Sequence, residues 1–283
     1  MRIYEAIIPE NRPAGRLENY LMQAFPLLPA RVIREALQKR DVKMNGVRAG
    51  KDTPLEAGTK VQLYTAYSPE IPVVYEDEHI LILNKPAGIS CEADGRGGMT
   101  VLSLMEEKAA GNYIPRLCHR LDNQTSGLLL LAKDDESEAI LLGAFKERTL
   151  NKVYQCLVRG EMRPKEATKE AFLIKDAQRS QVRIITHNTP GSQPIATKYE
   201  TLSFDGTLSR LRVTLLTGRT HQIRAHMAFL SHPLLGDDKY GDRALNRRMK
   251  ANGLKLCACE MTLQASGILA YLDGKTFTVT PPF

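Results

Sequence analysis

The residues best suited to chemistry sit together in His119-Arg120-Leu121-Asp122-Asn123-Gln124-Thr125-Ser126-Gly127, directly ahead of the apolar run Leu128 to Ala132. A carboxylate in a loop, with a cation two residues before it, has the makings of a nucleophile, a base or an electrostatic partner. Asn, Thr, Ser and Gly favour a turn at this point. The run that follows, closed by Lys133-Asp134-Asp135, reads as a buried strand of about five residues. Loops held by rigid strands are where chemistry concentrates. An Asp in a turn also caps backbone N–H groups, so these nine residues alone leave both roles open.

Other reactive groups lie further on. Gly206 to Gly236 holds Arg210, Arg212, Arg219 and Arg224 and no acid. Within it, Thr217-Gly218-Arg219-Thr220-His221-Gln222-Ile223-Arg224-Ala225-His226 opens a helix ended by Pro233. The histidines His221, His226 and His232 invite a metal reading, but spacings of five and six do not place them on one helical face, and no His-Glu-x-x-His pattern is present. Cys257 and Cys259 share a strand face, which is packing unless a third ligand joins them. We expect no metal. The five cysteines form no Cys-x-x-Cys pair, which suits a reducing cytoplasm.

Around these groups the chain offers enough material for one or two domains. Its 283 residues are 43% hydrophobic and 25% charged, as in a globular protein with a full core. A net charge of +7 favours a polyanionic partner. No apolar run approaches 18 residues and the start lacks a signal pattern, so a cytoplasmic protein with no membrane partner is expected.

Residues 16 to 25 and the stretch after Pro29 show helical spacing. The second helix and the segment beyond it carry Arg31, Arg34, Lys39, Arg40, Lys43, Arg48 and Lys51, against Glu35 and Asp41 alone. Asn45-Gly46 signals a hairpin, and a strand follows at Val61 to Tyr64. After a linker at Ser68-Pro69-Glu70-Ile71-Pro72, strands are expected at Val73-Val74-Tyr75 and Ile80 to Leu83, then Asn84-Lys85-Pro86-Ala87-Gly88. Thr100 caps a helix ending before Gly111, and Asp134 or Asp135 starts another. Lys152 to Val158 and Leu211 to Leu215 read as strands. Residues 168 to 204 alternate only weakly, Lys239 to Lys255 is a basic loop, and two or three strands close the chain.

His-Arg-Leu-Asp-x-x-Thr-Ser-Gly resembles the catalytic motif of the RluA-type pseudouridine synthases. Asn84 to Gly88, Lys152-Val153-Tyr154 and Thr-Gly-Arg-x-His-Gln-Ile-Arg resemble that family's other motifs. The resemblance implies Asp122 as the catalytic carboxylate, Tyr154 as the active-site ring, and Arg224, with its neighbour Ile223, on the substrate side. It implies that Arg224 pairs with Asp122 and that Arg120 fills the place of a flipped base. Ser90-Cys91-Glu92 departs from the family's Val-His-Pro type run, in a loop that bears on substrate choice. Residues 12 to 66 are similar to the small RNA-binding module first known from ribosomal protein S-four, which makes Arg31, Arg34, Lys39, Arg40, Lys43 and Arg48 RNA contacts.

The resulting expectation is an α+β chain: an S-four-like module at 12–66, then a catalytic domain at 73–283 built on a mixed, mainly antiparallel sheet. It would isomerise uridines in structured RNA, ribosomal RNA ahead of transfer RNA, as a monomer. Breaking the bond from ribose to uracil nitrogen and rejoining at a ring carbon needs no redox cofactor. Asp122 would attack the anomeric carbon, as in covalent glycoside chemistry, or remove a neighbouring sugar proton. A nearby guanidinium favours the ionised form where water is excluded, and Tyr154 would stack on the base. An inactive RNA-binding protein would have lost Asp122, Tyr154 or Arg224. A two-carboxylate glycosidase would need a second acid, for which Asp134 and Asp135 are nearest in sequence.

Overall fold

Two stretches of helical periodicity, a hairpin and a strand are what the first residues fold into. The computed structural model describes residues 1–10, 15–93, 98–176 and 181–283. The chain separates into one unit of Met1–Pro72 with Gly88–Pro115 and another of Val73–Ala87 with Arg116–Phe283.

In the first unit, β1 (Arg2–Ile7), β2 (Val42–Met44), β3 (Val47–Arg48) and β4 (Lys60–Thr65) form an antiparallel sheet of order β1-β4-β2-β3. Helix α1 (Leu17–Ala24) buries Leu17, Tyr20 and Leu21, and α2 (Ala30–Gln38) buries Val32, Ile33, Ala36 and Leu37. The β2–β3 turn needs positive φ at both central residues, and Asn45 and Gly46 supply it at 47° and 83°. Thr100 caps α3 (Val101–Ala109) as expected, in a reciprocal box with Ser103.

This unit differs in extent from the 12–66 module. Residues 12–14 lie outside the described residues, and β1 precedes them, paired along its whole length with β4. Gly88–Pro115 groups with the first unit. Gly98 N–H donates to the Glu5 carbonyl at 3.1 Å and Met99 N–H to the Ala24 carbonyl at 3.0 Å. The variant loop Ser90-Cys91-Glu92 is part of this segment.

The second unit is built on an 11-stranded sheet among the described residues. Its strands are β5 (Val73–Glu76), β6 (Ile80–Lys85), β7 (Arg116–Leu117), β8 (Ser126–Ala132), β9 (Asn151–Arg159), β10 (Glu166–Asp176), β11 (Gln181–Ile185), β12 (Gln193–Phe204), β13 (Leu208–Leu215), β14 (Leu256–Thr262) and β15 (Thr276–Thr278). The main path runs β11-β10-β12-β13-β9-β14-β8-β6-β5, with β15 on β14 and β7 on β8. Every pairing is antiparallel except β14 with β8. The stretch at 168–204, weakly patterned in sequence, is thus strand for most of its length.

All seven residues of β8 are buried, which accounts for an apolar run without alternation. α4 (Asp135–Glu147) covers part of it, and Asp134 caps that helix by accepting from Ser137 N–H. Two further helices, α5 (Gln222–Phe229) and α6 (Arg243–Arg248), follow β13. α6 lies inside what read as a basic loop. Cys257 and Cys259 pack with Val153 in one apolar cluster, the packing role expected for them.

Candidate active site

Three features fix the loop that carries Asp122. Thr125 N–H donates to the Asp122 carbonyl at 3.0 Å, closing a turn. Lys85, fully buried at the end of β6, donates through Nζ to the Asn123 carbonyl at 3.1 Å and to the Pro86 carbonyl at 3.0 Å. A buried ammonium requires such acceptors, so the Asn-Lys-Pro segment is tied to the residue after Asp122. Gly127 then enters β8 at φ 110°, where a Cβ would stand 2.2 Å from the Ala258 carbonyl oxygen. Only a residue without a side chain allows β8 and β14 to meet there.

His119 secures the start of the loop. Its Nε2 accepts from Leu130 N–H at 3.1 Å and its ring packs on Phe145 at 4.8 Å between centroids. Burial pushes its pKa well below the ordinary value, so it stays neutral.

Arg224 arrives on α5, and buried Gln222 places that helix. Its Oε1 accepts from the Thr217 hydroxyl at 2.8 Å and from Arg219 N–H at 3.1 Å. Its Nε2 donates to Ala196 O at 3.1 Å and Thr197 Oγ1 at 3.0 Å. His221 adopts a left-handed conformation at φ 55°, so the helix begins only at Gln222.

Arg224 Nη1 lies 3.5 Å from Asp122 Oδ2, and His221 Nε2 lies 4.0 Å from the same oxygen. The Asp122 side chain is 23% exposed, leaving a face open to a substrate. Arg224 meets Asp122 through Nη1 alone. Nε and Nη2 instead bind Asp237 at 2.7 and 2.9 Å, with Asp238 a further acceptor at 3.1 Å. Burial opposes the charge on Asp237, yet hydrogen bonds and the charge of Arg224 outweigh it and hold that carboxyl below its usual range.

The other expected residues fall as follows. Tyr154, on β9, is buried. Burial first, and then the Asp122 charge, push its phenol upward, so it is neutral and close enough to feel that carboxylate. Arg120 is exposed on the same loop. Ile223 is 4% exposed, next to Arg224 on α5. Arg31, Arg34, Lys39, Arg40, Lys43 and Arg48 lie in the other unit.

The histidines part company. His226 bonds Thr197 and burial lowers its pKa to about 4, while His232 donates to the Arg159 carbonyl. Among the described residues no group of three His, Cys, Asp or Glu side chains is arranged to hold a metal. Asp134 caps α4 and Asp135 pairs with Arg116. Asp237, bound by Arg224 and kept ionised, cannot supply the proton a glycosidase acid must give. Lys85, His221 and Asp237 were missed as site residues. The first two stand inside the quoted motifs, but Asp237 carries no local signal.

A family model described as RNA pseudouridylate synthase matches residues 79–229. The chain belongs to this family. Ribosomal large subunit pseudouridine synthase C of Escherichia coli (strain K12) is 31% identical over 266 residues, covering 88% of this chain and 83% of that protein. Its namesake from Vibrio cholerae is 31% identical over 258 residues, covering 83% and 80%. Two solved structures share the fold. Human RNA Pseudouridylate Synthase Domain Containing 4 superposes with TM-score 0.61 at 19% identity, over 75% of this chain and 88% of that one. Human RNA Pseudouridylate Synthase Domain Containing 1 gives 0.60 at 23%, over 77% and 93%. The reaction of an RNA pseudouridylate synthase is an isomerisation at the anomeric carbon of uridine. A partly open carboxylate beside a guanidinium and a buried ring is chemistry of the kind it requires.

Proposed function

We propose that this pseudouridine synthase modifies uridines of large-subunit ribosomal RNA, with Asp122 as the reacting carboxylate. The observation that carries the reading is the 3.5 Å approach of Arg224 to a partly open Asp122 beside buried Tyr154. Asp122 attacks the anomeric carbon or takes the neighbouring sugar proton, Tyr154 stacks on the uracil, and Ile223 packs beside the ring. Arg120, exposed on the same loop, enters the space of the flipped uridine, whose extrusion costs a few kcal/mol. The curated relatives are named for the large ribosomal subunit, which supports that RNA over transfer RNA, and the reaction is read as cytoplasmic. One chain carries all these residues, so a monomer suffices. Pseudouridine mapping of ribosomal and transfer RNA from cells lacking the protein tests the substrate. Sites lost from large-subunit RNA are expected, and losses confined to transfer RNA would overturn it.

The first unit is proposed to be the S-four-like module that grips this RNA. Two helices ahead of a basic hairpin and strand give it the right order, with β1 added in front. Arg34, Arg40, Arg48 and Lys51 line a groove of about 710 Å³. Not every cation is equally available to phosphate. Arg34 pairs with Glu18 at 2.7 Å and Lys39 with Glu35 at 2.6 Å, while Lys43 sits 5.0 Å from the Tyr64 ring centre. Arg31, Arg40 and Arg48 are exposed.

Replacing Arg40, Lys43 and Arg48 together by Ala should flatten the salt dependence of RNA binding. Each lost phosphate contact lowers the slope of log affinity against log salt by about 0.7–0.9. Single-turnover chemistry at saturating RNA should remain largely intact. Tyr154→Ala should do the reverse, slowing chemistry with an unchanged slope. A triple variant that keeps the full slope would reduce the basic run to a solvated face.

A further inference from the structure

The segment Gly236-Asp237-Asp238-Lys239-Tyr240-Gly241 touches both side chains that face Asp122. Asp237 takes two of the three guanidinium nitrogens of Arg224, Nε at 2.7 Å and Nη2 at 2.9 Å. With that edge occupied, the guanidinium plane is fixed, and the remaining nitrogen, Nη1, is the one turned to Asp122. Tyr240 contributes twice more. Its ring lies under the same guanidinium, 5.4 Å from centre to carbon, and its hydroxyl meets His221 Nδ1 at 2.9 Å.

The segment is itself held. Asp237 Oδ1 accepts from the backbone N–H of Lys239 and Tyr240 at 2.8 and 2.9 Å. Asn246 donates to the Asp237 carbonyl at 3.1 Å and accepts from Gly236 N–H at 2.8 Å. A Cβ on Gly241 would stand 2.2 Å from that carbonyl oxygen.

We propose that Asp237 and Tyr240 are positioning residues for the isomerisation: Asp237 aims Arg224, and Tyr240 sets the ring and tautomer of His221, so that two donors converge on Asp122. The inference rests on Asp122 being the reacting carboxylate. Val182 N–H donates to the Tyr240 oxygen at 2.8 Å, and the proposal gives the hydroxyl proton to His221 Nδ1, 2.9 Å away. Nδ1 then accepts, and Nε2, the atom that faces Asp122, carries the ring proton. Burial favours the neutral imidazole, and so do the nearby charges of Arg224 and Lys239, against Asp122 and Asp237.

A buried Asp–Arg pair can be merely structural, so the test must read more than folding. Tyr240→Phe removes one oxygen and frees Nδ1 to take a proton. The imidazolium form of His221 then becomes easier to reach, and it would draw Asp122 into an ion pair. The acid limb of the rate profile should therefore move to higher pH. Asp237→Asn releases the Arg224 fork and should lower the single-turnover rate about 100-fold at every pH, the cost of a misaimed group.

The experiment uses the full chain with unmodified large-subunit ribosomal RNA transcribed in vitro. The His221 imidazole is titrated by NMR without RNA, its signal assigned by loss in His221→Asn. Single-turnover rate and RNA affinity are then followed against pH. The proposal expects a raised His221 titration and a raised acid limb in Tyr240→Phe, with RNA affinity within about threefold in both variants. It is overturned if the His221 titration or the acid limb stays in place. It is equally overturned if a folded Asp237→Asn keeps its rate within about threefold. Should Asp237→Asn not fold, the two Tyr240→Phe measurements decide alone. Asp122→Asn is assayed alongside, and full activity in that variant would bring down the reading of Asp122 itself.

Discussion

Asp122→Asn is expected to abolish uridine isomerisation by the purified protein while leaving RNA affinity within about tenfold, or 1.4 kcal/mol. The amide has the shape of the carboxylate but can neither attack an anomeric carbon nor take a sugar proton. Folding should survive, because Arg224 keeps Asp237 and Asp238 as acceptors and is not left as an uncompensated buried charge. RNA affinity should survive because Asp122 faces one nucleotide at most. Since the new glycosidic bond replaces the hydrogen at the uracil ring carbon, tritium placed there reports turnover directly. Release at more than about a hundredth of the native rate would sink the assignment of Asp122.

Gly127→Ala should be among the most damaging single methyls in the second unit. At φ 110° an alanine is strained whatever surrounds it, and its Cβ would be driven to 2.2 Å from the Ala258 oxygen. That oxygen cannot retreat easily, because β14 is paired to β9 on its other side. Backbone strain and overpacking together come to about 3–5 kcal/mol. For a domain of this size that is roughly 6–20 °C in Tm. A melting curve within about 2 °C of the native protein would mean that the two strands do not approach as described.

Much of the site was legible because its parts are local. Asp122 precedes a run of turn residues and then a strand buried on both faces, and that sequence pattern survives without tertiary information. Thr100, Asp134 and Asn45-Gly46 act through neighbours within four residues, so caps and turn read correctly. β12 was obscure for a physical reason. Ile195, Thr197 and Tyr199 are its inward side chains, and Thr197 is buried because Gln222 and His226 bond it, so a polar residue breaks the apparent alternation. The second partner of Arg224, Asp237, was not legible, because it is brought there by the course of the chain after α5. Nothing in periodicity or spacing announces it. β1 and α6 are short and partly exposed, with too few apolar positions to stand out.

The place of β14 also bears on how this enzyme is made. It lies between β8, which follows Asp122, and β9, which carries Tyr154. Ser126 of β8 and Leu256 of β14 bond each other from 130 residues apart in the chain. On the ribosome, Asp122 and Tyr154 therefore emerge long before the strand that joins their supports. Until Leu256–Thr262 follows, β9 and the start of β8 at Ser126 and Gly127 each lack a partner strand on one edge, the kind of surface that recruits foreign strands. Closing such a distant contact is slow, so the nascent chain passes through a period in which it needs protection and has no assembled site. A chain cut short before β14 would hold Asp122 and Tyr154 without the strand that joins their supports.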